Sequence, residues 1–202
     1  MNSCGSRILY AVAVLFVALP AIQAQVYFPD DAFPPTLQRW FSSELHILEE
    51  PSLLESSNDT AVESYRFLWL RTFNQPIAVR LDIKADGTGV ITTKVGNGES
   101  GFPYSTKALL TNVTRSVSRD EAKSFVKRVD EWQFWLLPAV DYEDHEGLDG
   151  SAWVIEAVKA GRYHAAYRWS PDNRATACAV HDLGLALALQ LAKVDVPNKE
   201  VY

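Results

Sequence analysis

Ile77, Val79, Leu81 and Ile83 alternate without a break against Ala78, Arg80, Asp82 and Lys84, and Asp86-Gly87 then leads into Val90 to Val95. That pattern is a β-hairpin, and it predicts an α+β protein built on an antiparallel sheet. Two more features support the class. A second pair of segments rich in aromatic and β-branched residues, Trp153 to Lys159 and Arg162 to Trp169, meets across Ala160-Gly161. Apolar residues at helical spacing occupy three separate stretches, so helices flank the strands instead of alternating with them. The expected architecture is a single antiparallel sheet of about six strands with helices packed on one face, plus an N-terminal helix.

The chain opens with a leader. Met1 to Ala24 holds one basic residue, Arg7, then the uncharged run Ile8 to Leu19, Pro20 and a short segment ending at Ala24, the pattern of a secretory signal peptide. The run falls short of the roughly 20 residues that span a bilayer. Cleavage after Ala24 is expected, with an uncleaved anchor as the alternative because Ile22 is larger than the usual residue at that place. Cys4 precedes the apolar run, so it leaves with the leader, and no Cys follows where a lipoprotein signal would need one. Cys178 is then the single thiol, and no internal disulfide can form. The expected location is periplasmic or secreted, without stable membrane insertion.

Val26 to Pro35 mixes aromatics with prolines and aspartates and reads as an extended arm. Leu37, Trp40, Phe41, Leu45 and Leu48 then mark an amphipathic helix that ends before Pro51. Pro51 to Glu63 is polar and aperiodic, a solvated connection. The core begins at Ser64 with Tyr65 to Phe73, apolar on both faces as an interior strand would be. The first hairpin follows, then a Gly-rich loop and a fourth strand on Leu109, Thr111, Val113 and Arg115. Ser118 with Glu121 forms a capping box ahead of Ala122, Phe125, Val126, Val129 and Trp132, and Pro138 closes that helical segment. An acidic loop, Asp141 to Gly150, precedes the second hairpin. Leu183 to Leu191 alternates formally, yet its Ala and Leu content predicts a helix with Leu183, Leu187 and Leu191 on one stripe. The domains expected are residues 1–24 as leader, 25–63 as arm, helix and linker, 64–194 as α+β core and 195–202 as tail.

The 202 residues carry 19 Lys and Arg against 25 Asp and Glu, a formal charge of −6. A phosphate-tracking surface needs clustered positive charge, so no nucleic-acid partner is expected. Hydrophobic residues make up 48%, enough for one real core. No HExxH, GxSxG, Walker or GxGxxG pattern occurs, and no cofactor or metal is expected. Cys178 and His181 would share a helix face beside Asp182, but an Ala- and Leu-rich helix normally buries such residues. The acidic loop could offer oxygen ligands to calcium, although it lacks the EF-hand order. Asn58-Asp59-Thr60 and Asn112-Val113-Thr114 match the glycosylation sequon, which matters only in a eukaryotic host.

Two candidate surfaces remain. Asp144, His145, Glu146 and Asp149 could steer a basic partner to the acidic loop. Arg66, Arg162 and Arg168, together with Tyr163 and Tyr167, could form an aromatic and Arg-rich sheet face, since these residue types dominate interface hot spots. Both point to another protein as the partner. A non-catalytic protein-binding module is the leading expectation, most concretely an inhibitor or immunity protein for a secreted or envelope hydrolase. A periplasmic hydrolase using carboxylates with His145 or His164 is the alternative, and a structural envelope protein stays open.

Two blocks, YRFLWLRTF at Tyr65 to Phe73 and GLDGSAWVIEAVKAGRYHAAYRWSP at Gly147 to Pro171, resemble an uncharacterised group of exported bacterial proteins. The resemblance implies secretion and α+β folding and carries no activity. In element order alone, the chain also resembles the emfourin-like inhibitors of thermolysin-type metalloproteases, with Phe134 to Pro138 in the place of the turn that follows the first helix of their core.

Overall fold

The structure is a computed structural model that describes residues 25–98, 107–141, 149–171 and 175–195. Six strands, β1 (Glu63–Arg71), β2 (Ile77–Ile83), β3 (Gly89–Gly96), β4 (Leu109–Val117), β5 (Ser151–Lys159) and β6 (Arg162–Trp169), form one antiparallel sheet in the order β4-β3-β2-β1-β5-β6. The helices are α1 (Pro35–Ile47), α2 (Leu53–Ser56), α3 (Arg119–Glu131) and α4 (Ala175–Leu185), the last running on into a π-helical turn, Ala186–Leu191. This is the α+β fold with a single sheet that the alternation predicts. Among the described residues no helix is long and apolar enough to cross a membrane.

The turns follow from their residues. In the first hairpin Lys84 and Thr88 close a loop whose last residue, Gly87, takes φ +82°, a conformation that glycine adopts without strain. In the second, Ala160 and Gly161 both have positive φ, 50° and 77°, as a two-residue turn matched to strand twist requires. The capping box of α3 is complete, with the Ser118 hydroxyl accepting from the Glu121 N–H and the Glu121 carboxylate accepting from the Ser118 N–H.

The sheet is covered on both faces. On one, α3, α4 and the π-helical turn pack Phe125, Val129, Val180, Leu183 and Leu187 onto Tyr65, Phe67, Trp69, Trp153 and Ile155. Leu183, Leu187 and Leu191 are the buried stripe, and the π turn lets Leu185 and Leu189 touch the same cluster. On the other, α1 lays Trp40, Phe41 and Leu45 over Leu68, Leu70, Ala78, Val154 and Tyr167. The segment expected as an extended arm joins this second layer. Tyr27, Phe28 and Phe33 are buried in it, with Phe33 edge-on to Phe41 at 5.5 Å and to Tyr167 at 6.4 Å. A strand apolar on both sides leaves no solvated face, and one amphipathic helix is too narrow to cover six strands, so the arm's aromatics complete the layer. Residues 51–63 likewise hold more structure than a solvated connection: Ser52 caps α2, and Leu53 is buried.

Candidate functional site

Arg66 lies at the centre of β1, between Glu156 of β5 on one side and Arg80 of β2 on the other. Two guanidinium groups on adjacent strands repel, so the row needs further anions. Glu156 supplies one, at 2.8 Å from Arg66 Nε and 2.6 Å from Nη2. Glu50, at the C-terminal end of the α1 segment, supplies the other. Its carboxylate lies 3.3 Å from Arg66, 3.0 Å from Arg80 and 3.1 Å from Lys94. Arg66 also donates to Pro51 O at 2.6 Å, and Tyr163 donates its hydroxyl to Glu156 at 2.9 Å.

This cluster is sealed. Arg66 and Glu156 are fully buried, and Glu50 nearly so. Burial pulls the Arg66 pKa down, but Glu156 and Glu50 more than offset that, and the guanidinium is held above its ordinary value. Burial pushes Glu156 up against the opposing pull of Arg66 and Tyr163, and it pushes the Tyr163 phenol well above its ordinary value, with Glu156 adding to the effect. Tyr27, whose hydroxyl donates to Glu50 O, is pushed up to about 12 by burial. Arg66, Glu50 and Glu156 are shut off from solvent and hold the N-terminal layer to the sheet.

The sheet face expected as a recognition surface is therefore corrected. Arg66 and Tyr167 are buried and Tyr163 is half-buried because α1 and the arm cover that face, whereas Arg168 lies on the opposite face, in register with Trp153, and is buried with its guanidinium on Pro138 O, so these residues do not share one displayed face. Only Arg162 is exposed. Of the acidic loop, Asp149 is exposed, while Asp144, His145 and Glu146 lie outside the described residues.

Residues 135–140, which follow α3, run along the outer edge of β6. Trp135 lies under the Arg162 guanidinium, 4.9 Å from the ring centroid, and His164 hydrogen-bonds with the Leu137 main chain. Tyr167 donates its N–H to Ala139 O at 2.8 Å, and Arg168 donates to Pro138 O at 3.2 Å. The 3-10 turn Phe134–Leu136 anchors this segment through buried Phe134 and turns Leu136 out, 77% exposed. Trp132 precedes it at 37% exposed, its Nε1 donating to Asp182 at 2.8 Å. The turn thus sets the exposed Leu136 next in sequence to Trp135 with the Arg162 guanidinium over its ring, while the Trp132 indole turns to Asp182 of α4.

The other chemical candidates resolve into packing. His181 stacks on Trp153 with centroids 5.4 Å apart, and Asp182 pairs with Arg128 at 3.0 Å. His164 sits edge-on to Phe134 at 5.0 Å, and burial, then Arg162 and Arg168, hold its pKa below the ordinary value. No carboxylate pairs with it among the described residues. Among those residues no three His, Cys, Asp or Glu side chains converge as a metal site. A groove of about 330 Å³ between α3 and the π-helical turn is lined by Asp120, Glu121, Phe125, Arg128, Gln190 and Leu191, and a second of about 270 Å³ lies beside Arg119 and Lys123.

Sequence reasoning missed Glu50 and Glu156, and it named the Phe134 to Pro138 turn without singling out Leu136. The charges had a signal: Arg66 and Glu156 are isolated ions of opposite sign inside otherwise apolar strands, which predicts that they pair. No model of a known protein family matches the chain, and no curated protein matches it either.

Proposed function

We propose that the chain is an exported, non-catalytic protein-binding module whose contact surface is the turn around Leu136, and that its partner is a secreted or envelope hydrolase that it inhibits or to which it gives immunity. The observation that carries the reading is the exposure of Leu136 in the turn that also holds the Arg162-stacked Trp135. Trp and Arg are the side chains most enriched at interface hot spots, and an anchored turn loses little freedom on binding. The emfourin-like element order supplies the hydrolase as partner, with Phe134 to Pro138 as the projecting turn. Asp144, His145, Glu146 and Asp149 of the acidic loop are proposed as a second, electrostatic contact that steers a basic partner.

The test is capture from the native envelope fraction with the full chain as bait, beside Leu136→Asp and Asp149→Lys variants. The expected result is a stoichiometric hydrolase lost in Leu136→Asp, whose stability should stay within about 0.5 kcal/mol of the parent because the residue is exposed. A partner retained by Leu136→Asp moves the surface elsewhere. Capture of nothing at any salt concentration removes the reading.

A further inference from the structure

The two edges of the sheet are treated differently. The β6 edge is covered by the connection from α3, with Val140 bridging to Tyr167. The β4 edge is bare among the described residues. Gly96 donates its N–H to Pro76 O at 3.0 Å and Lys84 donates to Thr88 O at 2.8 Å, so the even-numbered residues of β3 turn their main chain toward β2. The odd-numbered ones then face β4, where Thr93 pairs with Val113 and Ile91 with Arg115. It follows that Asn112, Thr114 and Ser116 point their N–H and C=O groups outward, and none of them finds a partner among the described residues.

An open edge is normally blunted by inward charges, Pro, Lys or brevity. β4 is nine residues long, contains no Pro or Lys, and exposes Val113 at 55% and Leu110 at 60%. Its one charged residue, Arg115, is drawn inward by Leu191 O and lies 3.7 Å from Glu121.

We infer that β4 is the seam of a homodimer, in which two copies pair β4 to β4 antiparallel about a two-fold axis at Val113. Val113 then faces the partner's Val113 as a non-hydrogen-bonded pair, with Cα atoms about 4.5 Å apart. Asn112 and the partner's Thr114 exchange both N–H···O bonds, and symmetry repeats the exchange. Arg115 falls opposite the partner's Thr111, so no like charges oppose each other across the seam. This self-complementarity favours a second copy over a foreign strand, and an antiparallel two-fold contact closes on itself instead of growing into fibres. A chain of net charge −6 repels its own copy at long range, yet β4 has no acidic residue, so added salt should tighten the dimer and not dissolve it.

The experiment is sedimentation equilibrium of the full chain and two variants, Val113→Lys and Val113→Asp, with circular dichroism to confirm that each folds. The parent should show twice the chain mass of 22.6 kDa. Either variant alone places like charges face to face on the axis and should weaken the dimer by at least about tenfold, and mixing the two should restore it as a heterodimer. Thr114→Pro gives an independent check. Its N–H points outward, so the β3 ladder stays whole while the seam loses a donor and dimerisation falls. A parent that is monomeric throughout the concentration range overturns the inference. So does a dimer indifferent to both charges, or a monomer that takes up another protein's strand at β4.

Discussion

Glu50 and Arg66 meet at 3.3 Å with both side chains shut off from water, one from the end of the N-terminal helical segment and the other from the middle of the central strand. Their contact joins the outer layer to the sheet. Because Glu50 also balances Arg80 and Lys94, its removal leaves three cations facing Glu156 and Asp82 alone. Breaking a buried pair from one side costs about 3–5 kcal/mol, far more than the pair contributes against an apolar replacement. Glu50→Ala should therefore lower unfolding stability by that amount in urea titration, and a double change, Arg66→Met with Glu156→Leu, should cost less than Glu156→Leu alone. A double change whose loss equals the sum of the losses from Arg66→Met and Glu156→Leu alone would show that the charges are not coupled.

The second hairpin holds Ala160 at φ 50°, where a β-carbon crowds the backbone. An Asn-Gly pair suits this turn better, since Asn tolerates the left-handed region. Ala160→Asn should raise stability by about 0.5–1 kcal/mol with no change in fold, measured as a shift in the urea midpoint at constant slope. A loss of stability would mean that the turn relaxes in solution to another type.

His164 links pH to stability. Burial, aided by Arg162 and Arg168, holds its pKa below the ordinary 6.5, so the unfolded chain binds a proton near that pH that the folded chain refuses. Stability from this group is complete above about pH 7 and falls as the pH drops through 6.5 toward the folded-state pKa. Comparing the parent with His164→Gln at about pH 7.5 and 5.5 should show the parent losing more stability on acidification. A gap between the two proteins that does not change with pH would sink this assignment.

Much of the fold was legible because it is local. The Ile77 to Val95 hairpin, the Ser118 capping box and the Leu183 to Leu191 stripe each depend on residues close in sequence, and each forms where its pattern predicts. Strand order was less accessible. β1 pairs with β5 across 90 residues between Arg66 and Glu156, and nothing in either segment's periodicity names the other as neighbour. The aromatic and Arg-rich strands were read as a display surface, yet the same residues serve as well to anchor a covering layer. What decided between the two was the burial of Tyr27, Phe28 and Phe33, from an arm whose prolines and aspartates had pointed to solvent. Leu136 escaped notice since one exposed aliphatic residue after a helix has no sequence pattern of its own.

Gly184 brings the α4 backbone close against the aromatic rings of the sheet. A β-carbon there would stand 3.0 Å from Trp153 Cε3 and 3.1 Å from two atoms of the Phe67 ring. Those rings cannot retreat, because Phe67 stacks on Trp69 at 5.5 Å and Trp153 is wedged between Phe67, Trp69 and His181. Two effects then compete in a substitution. Replacing glycine inside a helix contributes up to about 1 kcal/mol through backbone entropy, whereas overpacking a filled core costs about 1–3 kcal/mol. For Gly184→Ala the two nearly cancel. For Gly184→Val the added methyl groups drive into the indole and β-branching removes most of the helical gain, so a net loss of about 2 kcal/mol is expected. Near-ultraviolet circular dichroism, which reports the packing of Trp69 and Trp153, should change in Gly184→Val and not in Gly184→Ala. An unchanged spectrum with unchanged stability in Gly184→Val would mean that the helix stands further from the sheet than the contact at Trp153 requires.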